Sequence, residues 1–295
     1  MPAHINTTVL MSGVDYFADD QAINPFMTQV EPIDRDKAAQ EHAKIREALE
    51  SAGVTVVQVP PPIDCQDGVY TANWAVMRGN TAVLASLPNA RKAEEAYAAQ
   101  ILAEQGKTVL GVPEGLKFSG QGDCLPCGNL LFCGSVYRSD PEAQAFVAEQ
   151  LGYECVQLQA VPVTDENGQM VINSFSGWPD SFYYDLDLAL SVLKAPTENE
   201  KGLIAWCPAA FTPESQEILR NLTVVDKIEV SEAEAKQAFA CNLVSTGEVV
   251  VMNGAATQFA SVIESHGLRT IRLSNPELGK GGGSIRCTTL TLDNA

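Results

Sequence analysis

The sequence predicts an α/β fold in which one domain, residues 1–295, forms a five-fold pseudosymmetric α/β propeller of ββαβ units. Three observations support this prediction. Five amphipathic stretches each lead into a short strand rich in β-branched residues, and hairpin-like apolar segments lie between them. The strands that follow the helices begin near residues 54, 108, 155, 223 and 270, a spacing in the range of about 20–50 residues that is typical of repeat architectures.

The helices and the strands after them follow from the residue pattern. Amphipathic periodicity predicts helices over residues 33–52, 90–105, 141–151, 214–222 and 257–267. They lead into the strands VTVVQVP, KTVLGVP, ECVQLQAVP, TVVDKIEV and RTIRLS. Each strand is short and β-branched, as expected of a strand that packs against a helix.

Four hairpins are predicted from apolar runs that are broken by Gly, Asn or Pro. These runs are ANWAVMRGNTAVLAS, CLPCGNLLFCGSVYR, LALSVLKAPTENEKGLIAW and ACNLVSTGEVVVMNG. The fifth hairpin needs both ends of the chain, so we expect residues 287–293 to pair with residues 7–13. This pairing would close the five units into a ring.

Composition excludes several classes of partner. The chain has 19 basic and 37 acidic residues and a formal charge of −18, which would repel nucleic acid and anionic lipid. Apolar runs stay shorter than the ~20 residues of a membrane span, and the first residues do not resemble a signal peptide. We therefore expect a cytoplasmic protein that binds neither nucleic acid nor membrane, and we leave its oligomeric state open, a homo-oligomer included.

The eight cysteines are scattered through a long chain, which favours reduced thiols over a disulfide framework. Cys124 and Cys127 form a CxxC pair, but no second pair completes a four-thiolate zinc site. The sequence that follows them is typical of a turn between two apolar strands. We expect no metal and no cofactor.

A closed ring brings the ends of its strands to one axis, so polar residues there should line a shared pocket. The residues at these positions are Asp15, Asn24, Asn73, Asp123, Asp185, Asp187 and Cys287. Cys287 has two interpretations. It is either a small buried hydrophobe after a glycine-rich turn, or the nucleophile of a carboxylate-lined pocket.

A succession of motifs in this order resembles the guanidino-group-modifying superfamily. The motifs are DYF and INP, VYTANWAVMRGN, the G-x-GD segment at residues 120–123, VYRSD, FYYDLDLAL, ACN and the terminal GGG-x-x-x-C. That superfamily has the pentein fold and includes arginine deiminases, dimethylarginine dimethylaminohydrolases, arginine dihydrolases and glycine amidinotransferases. The resemblance covers nearly the whole chain.

The resemblance implies roles for individual residues. Cys287 would attack the guanidinium carbon, Asp187 would clamp the cationic nitrogens, and Asp123 would belong to the catalytic acidic segment. Arg91 and Arg138 match positions that hold the α-carboxylate of the substrate, although either could be a surface arginine. The other residues expected to contact the substrate are Asn24, Asn73 and Phe17, of which Phe17 is equally well explained by packing.

The chain departs from the family pattern at the proton carrier. Asp185 stands where the family has its catalytic histidine, and we expect it to act as the acid/base. The three histidines, His4, His42 and His266, are better explained as helix-capping or solvent-facing residues. Asn73 stands where many members have a clamping aspartate, although the arginine dihydrolase branch resembles this chain in having TAN at this point, and Ser119 replaces a frequent glutamate.

Two functions remain open at this point. The first is a cysteine-dependent hydrolase or amidinotransferase that acts on the guanidine or amidine of a small, cationic, arginine-like substrate through a covalent thiouronium intermediate. The second is an altered pentein that binds a cationic ligand or a protein partner without turnover, which the missing histidine would permit. The sequence does not distinguish water from an amine as the acceptor, nor one guanidine compound from another.

Overall fold

Sheets of three strands repeat one arrangement in the computed structural model, which describes residues 4–28 and 30–294. The strands of this described part are β1 (Thr8–Met11), β2 (Thr55–Gln58), β3 (Ala75–Arg78), β4 (Thr81–Leu84), β5 (Thr108–Gly111), β6 (Cys124–Cys127), β7 (Leu130–Ser135), β8 (Glu154–Gln159), β9 (Leu190–Lys194), β10 (Gly202–Trp206), β11 (Val225–Glu229), β12 (Val244–Ser245), β13 (Val249–Asn253), β14 (Arg269–Leu273) and β15 (Leu290–Thr291). The helices are α1 (Arg35–Ser51), α2 (Glu94–Glu104), α3 (Pro141–Leu151), α4 (Pro213–Asn221), α5 (Glu232–Ala238), α6 (Thr257–Ser265) and α7 (Pro276–Lys280).

The strand orders are β15-β1-β2, β3-β4-β5, β6-β7-β8, β9-β10-β11 and β12-β13-β14. In every sheet the first strand is antiparallel to the second, and the second is parallel to the third. A helix connects each parallel pair, namely α1, α2, α3, α4 or α6. The predicted ββαβ unit is therefore confirmed, and the α/β propeller has five such units.

The two ends of the described chain close the ring. In the antiparallel pair of β1 and β15, Val9 lies opposite Thr291 and Leu10 opposite Leu290. The predicted pairing of residues 7–13 with residues 287–293 is confirmed, although the strand itself begins only at Leu290. Cys287 thus stands in the turn before the last strand, where its side chain is not committed to a sheet face.

The first strands of the sheets surround the axis. β15 contacts β3, and β9 contacts both β6 and β12. The helices pack between neighbouring sheets, since α1 contacts β2 of its own unit and also β13 and β14 of the preceding one. Consequently, the residues just before the first strands meet at one end of the axis.

Local signals explain where the elements begin and end. The side chain of Asp34 accepts a hydrogen bond from the backbone N–H of Lys37 and caps α1. Helix α3 begins with Pro141 and stops at Gly152, whose φ of 66° suits a glycine C-terminal to a helix. Gly128, with a φ of 61°, makes the tight turn between β6 and β7, so the CxxC pair lies on a strand as predicted.

Helices α5 and α7 were not predicted from the sequence. They have seven and five residues, too few for an amphipathic period to be recognised. No helix in the described part of the chain is long and apolar enough to cross a membrane.

Candidate active site

Cys287 lies in a buried turn whose geometry is set by Asn242. The Asn242 side chain donates from Nδ2 to Sγ of Cys287 at 3.1 Å. Its Oδ1 accepts hydrogen bonds from the backbone N–H groups of Cys287 and Ser284, both at 3.1 Å. The Cys287 side chain is only 3% exposed, and Asn242 fixes both its backbone and its sulfur.

The glycine triplet before this turn is explained by close approach of other side chains. A Cβ on Gly281 would lie 2.6 Å from the ring of Phe17, and one on Gly282 would lie 2.5 Å from Oδ1 of Asn24. Gly282 also has a φ of 91°, which L side chains rarely adopt. Asn24 in turn donates to the carbonyl of Gly281 at 3.0 Å, so in this structure Asn24 and Phe17 support the turn that carries Cys287.

Asp187 faces the sulfur of Cys287. The thiol donates to Oδ2 of Asp187 at 3.4 Å. The other oxygen, Oδ1, is buried and has no hydrogen-bond partner among the described residues. Burial and the negative charge of Asp185 raise the pKa of Asp187 to about 8, against the opposing effect of Arg286. A buried acceptor without a donor is the arrangement expected of a group that awaits a cationic ligand.

The thiol of Cys287 is held in its protonated form. Burial raises its pKa well above the ordinary value, and the negative charges of Asp187 and Asp185 add to this effect. A cation bound between these groups would act in the opposite direction. The geometry therefore links formation of the thiolate to the arrival of a positively charged ligand.

Asp185 is 1% exposed and accepts hydrogen bonds at both oxygens. Ser119 Oγ donates to Oδ1 at 2.8 Å, and Asn73 Nδ2 donates to Oδ2 at 2.8 Å. A guanidinium nitrogen of Arg138 lies 3.7 Å from Oδ2. Asp185 is thus held in place by donors from Ser119 and Asn73.

Arg91 is held by protein groups in this structure. Its guanidinium makes a two-point contact with Glu94 at 2.8 and 2.7 Å and donates to Oδ1 of Asn73 at 2.6 Å. The contact with Asn73 orients the Asn73 amide so that its nitrogen points to Asp185. The geometry thus gives Arg91 a positioning role, and its contact with a substrate carboxylate stays a prediction.

Asp123 holds the chain segment that carries the other two aspartates. Its Oδ1 accepts from the backbone N–H of Leu186 at 3.0 Å, and its Oδ2 accepts from Ser139 Oγ at 2.6 Å. Leu186 lies between Asp185 and Asp187 in sequence. Burial and the charge of Asp185 raise the pKa of Asp123 well above its ordinary range. Asp123 is in position to set the orientation of that segment.

Arg138 and Phe17 lie beside buried tyrosines. The guanidinium carbon of Arg138 is 4.0 Å from the ring centre of Tyr184, and its Nη2 donates to the carbonyl of Ile23 at 3.1 Å. Phe17 meets Tyr70 edge to face at 5.7 Å. Nη2 of Arg138 has this one hydrogen bond, and Nη1 has only the 3.7 Å contact with Asp185. Arg138 is therefore better placed than Arg91 to accept a new anionic partner.

The structure separates the remaining candidates from Cys287. Asp15 is exposed, whereas the strand-end pattern predicted it in the pocket. His4 is exposed, and Nδ1 of His266 contacts the Val262 carbonyl at 2.9 Å at the end of α6, as expected of a capping residue. His42 is buried in α1, contrary to the expected solvent-facing role, and burial together with Arg46 lowers its pKa to about 4.

Sequence reasoning did not assign roles to Asn242 or Arg286. Asn242 lies in the ACN motif that contributed to the resemblance, so a signal was present without a role. Arg286 directly precedes Cys287, and its positive charge lowers the pKa of Asp187. Among the described residues, no group of three or more His, Cys, Asp or Glu side chains could hold a metal ion.

Comparison with known proteins gives consistent matches. A family model described as N,N dimethylarginine dimethylhydrolase, eukaryotic, matches residues 15–172. The N(G),N(G)-dimethylarginine dimethylaminohydrolase of Mycobacterium tuberculosis is 33% identical over 96% of this chain and 84% of that protein. The bifunctional arginine dihydrolase/ornithine cyclodeaminase AgrE of Nostoc is 28% identical over 95% of this chain, which spans 37% of that enzyme's length.

Solved structures agree with these matches. The N-terminal domain of ArgZ, a cyanobacterial arginine dihydrolase, was solved as a variant covalently bound to a reaction intermediate. It superposes with a TM-score of 0.83 at 25% identity, covering 97% of this chain and 98% of that domain.

Proposed function

The chain belongs to the dimethylarginine dimethylaminohydrolase family of C–N bond hydrolases, which has the pentein fold, and from this membership we propose how it acts on a guanidino group. Cys287 attacks the guanidinium carbon of a small arginine-like substrate, and a covalent thiouronium intermediate is then hydrolysed by water. The observation that carries this proposal is the contact of the buried Cys287 thiol with Asp187, whose second oxygen has no partner among the described residues.

Substrate binding activates the nucleophile in this proposal. A guanidinium is planar and permanently charged, so it donates N–H groups to a carboxylate in a fixed geometry. Oδ1 of Asp187 offers such an acceptor in a dry environment. The bound cation lowers the pKa of both Asp187 and Cys287, and the thiolate forms next to the carbon that it attacks. Without substrate, the thiol stays protonated and unreactive.

The bonds and protons balance over two steps. Attack forms the S–C bond, and collapse of the adduct breaks a C–N bond and releases ammonia or an alkylamine, which takes the proton lost by the thiol. Water then adds to the thiouronium carbon, and expulsion of the sulfur leaves a ureido product and restores the thiol. We assign Asp185 as the group that accepts one proton of this water and passes it to the released amine or to solvent, because it is buried and stands where the family likeness expects the catalytic histidine.

The amino-acid end of the substrate has one favoured contact. Arg138 can turn part of its guanidinium to an α-carboxylate, because it has a single short hydrogen bond, to the Ile23 carbonyl. Arg91 would have to give up its ion pair with Glu94 to do the same. Arg138 is therefore our candidate for recognition of the α-carboxylate.

Mass spectrometry tests the proposal directly. The full chain would be incubated with arginine, its N-methylated forms, agmatine and canavanine, and the ureido product, the released amine and any protein adduct would be measured. We expect turnover of at least one α-amino acid substrate and an adduct on Cys287. The Cys287→Ser variant should form neither product nor adduct, because an alcohol is a far poorer nucleophile near neutral pH. Product formation by that variant would contradict the assignment.

Hydrolysis and amidino transfer are separated by the same assay. Ornithine or glycine would be added as a competing acceptor amine. We expect the ureido product to dominate, in agreement with the hydrolases to which the chain is similar. Formation of a new guanidino compound on the added amine would instead assign an amidinotransferase.

A further inference from the structure

A cavity lies among the first strands that surround the axis of the ring. It is lined by residues of β6 and β9, by residues that follow these strands, such as Gly128 and Pro196, and by residues that precede β12 and β15, such as Leu243 and Arg286. Its volume is about 160 Å³. Neither Cys287 nor the three aspartates of the site lie in its lining, so it is a separate space.

Arg286 connects this cavity to the nucleophile. Its backbone directly precedes Cys287, and its side chain lines the cavity. The guanidinium donates to Thr291 Oγ1 at 3.0 Å and to Gln121 Oε1 at 2.7 Å, and both of these acceptors are neutral. Arg286 is 6% exposed, and no carboxylate of residues 4–28 or 30–294 lies within ion-pair distance of it. Burial of a cation without an anion is costly, so the site is suited to an anionic group.

Unpartnered polar atoms occur in the same lining. Ser191 is 4% exposed, and its Oγ has no hydrogen-bond partner among the described residues. Nδ2 of Asn294 is another buried donor that none of these residues satisfies. Asp293 contributes a buried acceptor, Oδ1, that is likewise without a described donor. Buried polar groups are almost always satisfied, so these three atoms point to a ligand with both an acceptor and a donor end.

The rest of the wall is apolar and sets the size of a ligand. Leu190, Val192 and Leu243 contribute aliphatic surface to the cavity. A volume of about 160 Å³ is similar to that of an engineered apolar cavity of about 150 Å³ that binds benzene. This space accommodates a short aliphatic group but not a nucleotide or a peptide.

We infer that this axial cavity binds a small zwitterionic α-amino acid with a short aliphatic side chain. The carboxylate would contact the guanidinium of Arg286 and the Ser191 hydroxyl, and the ammonium group would contact Oδ1 of Asp293. The net charge of −18 favours a zwitterion over a simple anion, because an uncompensated anion would be repelled on approach.

Binding there would inhibit the active site, and this consequence rests on the proposed function. The positive charge of Arg286 lowers the pKa of Asp187. A carboxylate beside Arg286 would weaken that effect, so less Asp187 would be ionised and the cationic substrate would bind less well. The ligand would therefore lower kcat/KM without entering the active site.

Calorimetric titration of the full-length Cys287→Ser variant with L-valine tests the inference, because this variant binds without turnover. Isovalerate lacks the ammonium group of valine, and isobutylamine lacks its carboxylate. We expect binding of valine and at least tenfold weaker binding of both analogues. Adding Ser191→Ala should weaken valine binding at least tenfold, since it removes a donor to a charged group. Ser12→Ala is the matched control, because Ser12 is also buried with an unpartnered hydroxyl but does not line the cavity.

The inference is overturned if valine does not bind, if isovalerate binds as tightly as valine, or if Ser191→Ala and Ser12→Ala behave alike. These results do not depend on catalysis, so they are separable from a failure of the proposed function. With the wild-type Cys287, valine should lower kcat/KM for the best substrate in the Ser12→Ala variant and not in the Ser191→Ala variant. Equal inhibition of both variants would place valine in the active site and would also overturn the inference.

Discussion

Replacement of Asp187 by asparagine is expected to move two measurable properties in opposite directions. In the free enzyme above pH 8, where Asp187 is ionised, its negative charge contributes to the raised pKa of the Cys287 thiol. The Asp187→Asn substitution keeps the shape of the side chain and removes the charge, so the pKa of the thiol should fall and Cys287 should react faster with a neutral electrophile. The same substitution removes the acceptor that we assign to the guanidinium, so substrate should bind less well.

The size of the binding effect follows from the contact that is lost. A hydrogen bond to a charged group contributes about 1.5–3 kcal/mol, which corresponds to roughly 10- to 150-fold in kcat/KM. A pH effect accompanies it. The pKa of Asp187 is about 8, so its carboxyl group is largely protonated at neutral pH and becomes a better clamp as the pH rises through 8. In the wild type, kcat/KM should rise across this interval, and in Asp187→Asn this rise should be absent.

Alkylation and kinetics together provide the assay. The rate of iodoacetamide labelling of Cys287 would be followed by peptide mass spectrometry above pH 8, where Asp187 is ionised, with the seven other cysteines of the eight as an internal reference. Asp226→Asn is the control, because Asp226 lies on an exposed position of β11. Unchanged or slower labelling of Cys287 in Asp187→Asn would refute the electrostatic argument. Faster labelling with an unchanged kcat/KM would refute the clamp.

Three further outcomes are expected. Asp185→Asn should lower kcat by more than a hundredfold with little change in KM, measured by steady-state kinetics, because an amide keeps the shape and cannot take a proton. Gly282→Ala should lower the free energy of unfolding in urea by more than Gly267→Ala. Both glycines have positive φ values, 91° and 80°, but only Gly282 would place a Cβ 2.5 Å from Asn24. The wild type should lose stability on the order of 3 kcal/mol between pH 6.5 and 4, because His42 takes up a proton in that interval only in the unfolded chain. His42→Leu should abolish this loss, as measured by urea titrations at both pH values.

Periodicity predicted the fold well because a ββαβ unit has a strong local signature. The helix predicted over residues 141–151 has the same bounds in the structure, since a proline begins it and a glycine ends it. The helix predicted from residue 90 begins at Glu94, because residues 89–91 form a tighter 3₁₀ turn instead. Ring closure was predicted because the fifth hairpin lacked a second strand.

The site was predicted less completely, because side-chain partners depend on contacts between distant residues. Cys287 and Asp187 could be named from the resemblance, but their contact joins residues a hundred positions apart. Arg91 shows the limit of such reasoning. Its position in the sequence suggests substrate recognition, whereas the structure pairs it with Glu94 three residues later and with Asn73. No local pattern distinguishes an arginine that faces a pocket from one that orients a neighbouring amide.

The two departures from the family pattern at residues 119 and 185 meet in one hydrogen bond. The resemblance places a glutamate at the first position and a histidine at the second, whereas this chain has Ser119 and Asp185, and Ser119 Oγ donates to Asp185 at 2.8 Å. A glutamate kept beside Asp185 would put two carboxylates in contact in a buried site, which is unfavourable. A histidine kept beside Ser119 would lose its acidic partner. In our proposal, the pair of Ser119 and Asp185 retains one carboxylate and one hydrogen bond and moves the acidic group to the position of the proton carrier. On this proposal, a return to histidine at residue 185 is expected to require a change at residue 119 as well.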